Sequence, residues 1–273
     1  MELLNSISQG YEFAWYSLIG IILLSSVCAQ LSGIVVLKQR SYVADTLTHF
    51  VFPGVVAGLA LAQTLDLPKW LCIIIGSGLV AYIGVVFQNS LFKKLKFPFD
   101  SVAVLTLGGF LSFGLVLNSI FVKPIDVHSL LFGDLLSLRI QDIIVLTVLN
   151  ILLFLFHSKF GSAIKAWLID EDFAHIAGYP IKAIERWVPI LLTLTVLSGI
   201  FTVGGLMISS LLVFPALLAR SRALQFKITF PISVVCGLVG LALAYELDFP
   251  VGPTIVLVGF LAVLVQFLLV KKS

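Results

Sequence analysis

The chain has 273 residues, of which 60% are hydrophobic and 11% are charged, and its formal net charge at pH 7 is +3. Soluble domains carry about 25% charged residues, and a soluble fold of this length has too little interior for so much apolar surface. The composition therefore excludes a soluble globular domain. A membrane-spanning helix needs about 20 apolar residues, which leaves room for roughly eight to ten spans. We expect one integral membrane domain over residues 1–273.

Apolar runs separated by charged residues or by Pro and Gly predict an all-α polytopic bundle of about eight or nine transmembrane helices. The break at Gly204 and Gly205 is weak, so the sixth and seventh spans could instead be merged or re-entrant. The amphipathic stretch 123–139 is predicted to form a short interfacial or half-inserted helix. The predicted spans cover 15–37, 42–63, 69–92, 101–121, 140–157, 185–203, 205–219, 228–246 and 251–270.

The distribution of Lys and Arg predicts the orientation of the bundle, because loops on the cytoplasmic side carry an excess of basic residues. If the N-terminus is outside and the spans alternate, fourteen of the seventeen basic residues fall in cytoplasmic segments. The three exceptions are Lys69, Lys123 and Arg139. We therefore expect the N-terminus outside, the C-terminus in the cytoplasm and an odd number of spans.

An acid and an imidazole, Asp45 and His49, lie inside the second predicted span. An ionisable side chain in hydrocarbon is costly, faces the bundle interior or a wet cavity, and marks a functional site by default. The i, i+4 spacing places both side chains on one helix face, and both groups are ligands that divalent transition metals accept. Pro53 and Gly54 follow one turn later, where they could kink the helix or allow close helix packing. The alternative is a buried pair that only fixes helix packing, since structural networks also contain perturbed charges.

The longest predicted cytoplasmic connection, 158–184, contains the signature of a short helix at about 170–180. Asp170 is placed to cap its start, and acidic residues in the first turn suit the helix dipole. Gly178 can adopt the left-handed conformation at its end, and Pro180 prevents the helix from continuing.

This predicted helix carries Phe173, Ile176 and Ala177 on one face. A short helix with an exposed apolar face favours docking to another protein, and the alternative is a helix lying on the membrane surface. His175, one turn after Glu171, is expected to form a solvated surface pair with it.

Several enzyme signatures are absent from the sequence, which contains no GxxxxGK[ST] phosphate loop, HExxH, GxSxG or zinc-finger spacing. We therefore do not expect the chain to be an enzyme, and ATP-driven transport would need a separate motor subunit. One acid and one imidazole are also fewer than the about four ligands that a metal such as zinc takes. Water, other side chains, or an identical pair from a second copy across a two-fold axis could complete the set.

Four groups of motifs follow one another along the chain: Gln39–Ser41 with Ala44–His49 and Phe52–Gly54; Leu130–Gly133; Asp172–Ala174 with Ala177–Pro180; and Gly204–Ala216. In the same order, they resemble the motifs of the zinc- and manganese-type permeases of ABC importers. Any one motif is weak, but together they cover most of the chain. The second span departs from the family's frequent Gly-Asp-Ala-x-Ser-His at Ala44, Thr46 and Thr48, of which Thr48 keeps the hydroxyl group.

The resemblance implies the permease subunit of a bacterial ABC importer for a divalent transition metal ion, in the bacterial cytoplasmic membrane. It implies a homodimer embedded in lipid, a separate cytosolic ABC ATPase and an extracytoplasmic metal-binding protein. Neither a nucleic acid partner nor a permanently bound cofactor is expected, because the metal ion is the cargo. The motifs do not choose among zinc, manganese and iron.

The resemblance also implies roles for particular residues. Asp45 and His49 of both subunits would line the path and contact the ion. The helix at 170–180 would be the coupling helix that fits a cleft on the ATPase. Its predicted coupling residues are Asp170, Asp172, Phe173, Ala174, Ile176, Ala177 and Gly178, and the residues predicted to kink or pack helices are Pro53, Gly54 and Pro215.

Two other classes of transporter are alternatives. An ABC permease for an iron chelate or cobalamin would need a wide cavity and no ionisable ligands in the membrane, so Asp45 and His49 count against it. An ion-coupled secondary transporter could use Asp45 as a proton site. Such a carrier would work alone, whereas an ABC permease would copurify with an ATPase and be inert without it.

Overall fold

The computed structural model describes residues 12–38, 41–65, 67–95, 98–120, 138–220 and 225–270, which form helices and contain no β-strand. The helices are α1 (Glu12–Leu37), α2 (Ser41–Leu65), α3 (Lys69–Leu95), α4 (Phe99–Ile120), α5 (Ile140–Ile169), α6 (Glu171–Ile176), α7 (Ile181–Val203), α8 (Gly205–Leu211), α9 (Phe214–Ala219), α10 (Phe226–Leu247) and α11 (Val251–Val270). Within this part of the chain, eight helices are long and apolar enough to cross a membrane: α1–α5, α7, α10 and α11. The predicted all-α multi-span bundle is confirmed. All but the last two residues of the predicted interfacial helix, 123–139, lie outside the described residues. The motif Leu130–Gly133 lies wholly outside them.

Helix α5 is much longer than the sequence predicted, since it has 30 residues and continues through the segment expected to start a loop at residue 158. Its last third keeps a buried apolar face formed by Ala163, Ile164 and Trp167. The exposed Lys159 and Lys165 therefore lie within the helix and do not mark its end. At 1.5 Å per residue the helix is about 45 Å long, so it is longer than the about 30 Å of hydrocarbon that one crossing requires.

The predicted seventh span, 205–219, is instead two short helices, α8 and α9, separated by residues 212–213. The break has a local cause in Pro215, which lies in the first turn of α9. Proline lacks a backbone N–H, and its ring clashes with the carbonyl four residues earlier. That carbonyl belongs to Leu211, the residue at which α8 ends.

The α8–α9 pair nevertheless packs along a single neighbouring helix, α11. Phe214 packs against Gly259 in the middle of α11, and the Leu218 carbonyl accepts a hydrogen bond from Gln266 Nε2 at 2.9 Å, nearer the end of α11. Since the residue numbers rise together, the pair runs parallel to α11. This pair is not among the eight candidate spans of the described residues, so the odd number of passes stays a prediction. The orientation itself stays a prediction.

Helix α2 is central, because it packs against α1, α3, α4, α7 and α8. Its approach to α3 is a backbone contact made possible by glycine: a Cβ on Gly54 would lie 2.5 Å from the Ser77 Cα and 2.6 Å from the Gly76 oxygen. Pro53 is buried within α2 and packs against Gly114 of α4. Small residues thus let three helices meet at the middle of α2.

A methyl group at Gly54 should therefore push α2 away from α3. We expect Gly54→Ala to cost about 1–3 kcal/mol, the range for overpacking, and to lower the melting temperature of the purified protein in detergent. Gly109→Ala on α4 is the matched control, because no described atom lies within 4 Å of its added Cβ. Equal melting temperatures for the two variants would contradict the close α2–α3 contact.

Candidate functional site

Asp45 and His49 lie near the start of α2. Their i, i+4 spacing puts their Cβ atoms about 5–6 Å apart on one face of the helix. Both side chains are half-buried. Both side chains therefore lie partly inside the bundle, and this one chain leaves part of each side chain uncovered.

The neighbouring face of α2 is locked against α3 and α4. Thr46, which is fully buried, donates a hydrogen bond from Oγ1 to Gln88 Oε1 of α3 at 3.3 Å. The buried Phe50 ring lies 4.5 Å from the Phe110 ring of α4, measured between centroids. Since successive residues are about 100° apart around a helix, these contacts fix the rotation of α2. Asp45 is thereby held away from α3.

Thr48, the residue that keeps the hydroxyl group of the family motif, uses that group within α2. Its Oγ1 donates to the Asp45 backbone oxygen at 2.6 Å. Its side chain also lies at the start of α8, where a Cβ on Gly205 would be 3.3 Å from the Thr48 Cβ. The structure therefore gives Thr48 a packing role beside the pair, with α8 bordering the same region of α2.

One chain supplies an incomplete ligand set for a metal. Among the described residues, no group of three or more His, Cys, Asp or Glu side chains is close enough together to hold an ion. Asp45 and His49 thus offer one oxygen donor and one nitrogen donor group, fewer than the about four ligands usual for zinc. Cavities of about 360 and 530 Å³ lie beside α1, and neither is lined by Asp45 or His49.

The short helix α6 has well-defined ends. At its start, Asp170 accepts a hydrogen bond from the Phe173 backbone N–H at 2.9 Å. At its end, Gly178 has a φ of 75°, and the Tyr179 N–H bonds the Ala174 carbonyl at 3.1 Å. This is the Schellman arrangement, which satisfies carbonyls that a helix end leaves free. A helix of only six residues is thereby held in one shape.

The predicted coupling residues fall on different faces of α6. Ala174 is fully buried and anchors the helix to the bundle, whereas Phe173 and Ile176 are 58% and 88% exposed. Asp172 and Ala177 are also exposed. Ile169, at the end of α5, is 83% exposed and extends the apolar surface. We call Ile169, Phe173 and Ile176 the coupling patch. The helical periodicity of α6 did not predict Ile169 as part of its apolar face, because Ile169 belongs to α5.

A contact that sequence reasoning missed joins α6 to the end of α1. Lys38 Nζ donates a hydrogen bond to Glu171 Oε2 at 2.7 Å and lies 4.0 Å from the centre of the Trp167 ring. The hydrogen bond from Lys38 holds the pKa of the Glu171 carboxyl below its usual range. His175, the expected partner, does act electrostatically on Glu171, but the hydrogen bond of Glu171 goes to a residue 133 positions away, which no local pattern signals.

These features define a class of protein. A bundle with eight candidate spans, an acid–imidazole pair within one of them and a capped helix between two others has the architecture of a membrane transport subunit. The chain belongs to the ABC 3 transport family, whose model matches residues 10–270. It is therefore a multi-pass membrane protein of an ABC transporter family, as its motifs predicted.

Individual relatives match over nearly their whole length. The manganese import system permease protein ScaB of Streptococcus parasanguinis is 25% identical over 97% of this chain and 93% of its own. A Haemophilus influenzae protein named as a probable iron transport system membrane protein is 27% identical over 90% of both chains. The structure of PsaBC from Streptococcus pneumoniae in complex with Fab matches with a TM-score of 0.82 and 22% identity, covering 97% of this chain and 94% of that one. This last likeness establishes the fold.

Proposed function

We propose that this permease imports a divalent transition metal ion through the interface of two copies of itself, driven by a separate cytosolic ATPase. The observation that carries the proposal is the Asp45–His49 pair on one half-buried face of α2. An ionisable pair in a span is functional by default because of its cost in hydrocarbon. Names of relatives that transport manganese and iron support a metal as the cargo.

A second copy would complete the ligand set. A two-fold axis beside Asp45 and His49 would bring together two carboxylates and two imidazoles, which reaches the about four ligands that zinc and its neighbours take. The incomplete burial of both side chains leaves room for the partner copy. Oxygen and nitrogen ligands suit zinc, manganese and iron alike, so the cargo is assigned to this class of ions and not to one of them.

Energy would enter through α6. The coupling patch presents two large apolar side chains on a capped helix, Phe173 and Ile176, and such a helix fits an apolar groove on a partner. We infer that the ATPase binds here and that its ATP-driven closure switches the bundle between outward-open and inward-open states. With the N-terminus outside, as the basic residues predict, an extracytoplasmic binding protein would deliver the ion at the opposite end.

Replacing either ligand should stop transport without unfolding the protein. In proteoliposomes containing the permease and its ATPase, we expect Asp45→Ala and His49→Ala each to reduce metal uptake by about tenfold or more, since weakening one ligand's environment already costs 10–100-fold. Gln63→Ala is the control, because it lies exposed near the far end of the same helix. Wild-type uptake by both site variants, with normal membrane insertion and assembly, would remove the proposed ion path.

The coupling patch is tested by its affinity for the ATPase. Phe173→Ala should weaken ATPase copurification by about tenfold or more, because truncating an aromatic hot spot at an interface costs about 2 kcal/mol or more. Phe154→Ala is a matched control: it removes the same side chain from an exposed position on α5, on the predicted lipid-facing surface. Equal copurification of the two variants with the ATPase would show that α6 is not the docking element.

A further inference from the structure

Lys38 occupies the junction between the end of α1 and the beginning of the site helix. Residues 39 and 40 separate it from Ser41, where α2 begins, and Asp45 follows four residues after that. The Lys38 side chain does not extend into solvent; only 18% of it is exposed. It instead reaches α6, which is far away in sequence and carries the coupling patch.

The environment of Lys38 is built to hold it in one position. Its ammonium group is 2.7 Å from Glu171 Oε2 and 4.0 Å from the centre of the Trp167 ring, and its backbone N–H bonds the Ile34 carbonyl at 3.1 Å. Trp167 is itself 5% exposed and packed in the core. The Glu171 side chain is 48% exposed and exposed ion pairs contribute little, but the Lys38 ammonium group contacts both an anion and an aromatic face.

Glu171 is the first residue of α6, immediately after the cap residue Asp170. Because both ends of α6 are fixed by backbone and cap hydrogen bonds, a displacement of this helix moves Glu171 with it. Lys38 is the side chain through which Glu171 contacts the α1–α2 junction. The pair therefore connects the coupling helix directly to the end of α1, which precedes the start of α2 by three residues in the sequence.

We propose that the Lys38–Glu171 ion pair transmits movement of the coupling helix to the site helix, with Lys38 as a positioning residue for transport. This inference rests on the proposed function, in which the ATPase moves α6. When the ATPase displaces α6, Glu171 carries Lys38 and the start of α2 with it, and the ligands change their access. Without the pair, α6 moves while α2 lags behind, so ATP is hydrolysed with less transport.

The groups around Lys38 determine which substitutions remove the ion pair without creating a new one. Lys93 and Arg186 line the same cavity of about 360 Å³, together with the acidic Glu185. A glutamate at position 38 would find these cations, so a charge swap would build a new pair. Lys38→Met keeps the apolar stem over Trp167 and removes the charge, Glu171→Gln keeps the shape and removes the charge, and Lys38→Arg keeps the cation.

The experiment measures three quantities for the full permease–ATPase complex in proteoliposomes: assembly, ATP hydrolysis, and metal ions taken up per ATP. We expect Lys38→Met and Glu171→Gln each to assemble normally and to lower the uptake per ATP by about tenfold, within the usual range for coupling between sites. Lys38→Arg should retain coupling. The double variant should be no worse than either single variant, since both remove one interaction.

Lys159→Met is the control, because Lys159 also lies near an aromatic ring, with Nζ 5.5 Å from the centre of Phe160, but sits about 15 Å before the end of α5. Wild-type uptake per ATP in both single variants would overturn the inference, as would additive losses or losses that follow failed assembly. If the wild-type complex hydrolyses ATP but carries no metal, the proposed function fails instead.

Discussion

The backbone contact between α2 and α3 is the constraint on which the rest of the structure depends. Gly54 places the two helices close enough for the carbonyl of Gly76 to lie where a side chain would otherwise be. With Thr46 bonded to Gln88 on the same side, α2 has one permitted rotation. That rotation decides whether Asp45 and His49 face lipid, where they would be costly, or a protected route. The position of α2 therefore determines both its glycine-mediated contact with α3 and the direction in which Asp45 and His49 face.

The fold then connects two distant levels of the molecule. Helix α5 ends at Ile169, and the next residue, Asp170, caps α6. The buried Ala174 holds α6 to the bundle while Phe173 faces outward. Lys38 joins α6 to the end of α1, just before α2, through its hydrogen bond to Glu171. Under the proposal, a displacement of α6 would reach the start of α2 through this ion pair.

Much of this architecture was predictable because its causes are local. Apolar length identified the spans, i, i+4 spacing put Asp45 and His49 on one face, and the cap chemistry of Asp170 and Gly178 gave the ends of α6. The sequence-based predictions were wrong or incomplete where packing between distant segments, and not the local sequence pattern, determines the structure. Lysines in the second half of α5 read as a loop, although its apolar face continues through Trp167. The burial of Ala174 and the contact between Lys38 and Glu171 depend on packing between segments that the sequence separates widely.

The central claim is that two copies of the pair form one metal site, and the most direct measurement is pulsed electron paramagnetic resonance of Mn²⁺ bound to the assembled permease. Among the described residues, one chain brings no three metal-ligating side chains together, so the account predicts coupling of the metal to two equivalent imidazole nitrogens. It also predicts that both couplings vanish together in His49→Ala. A bound Mn²⁺ coupled to no nitrogen, or to a single histidine in an isolated protomer, would contradict it.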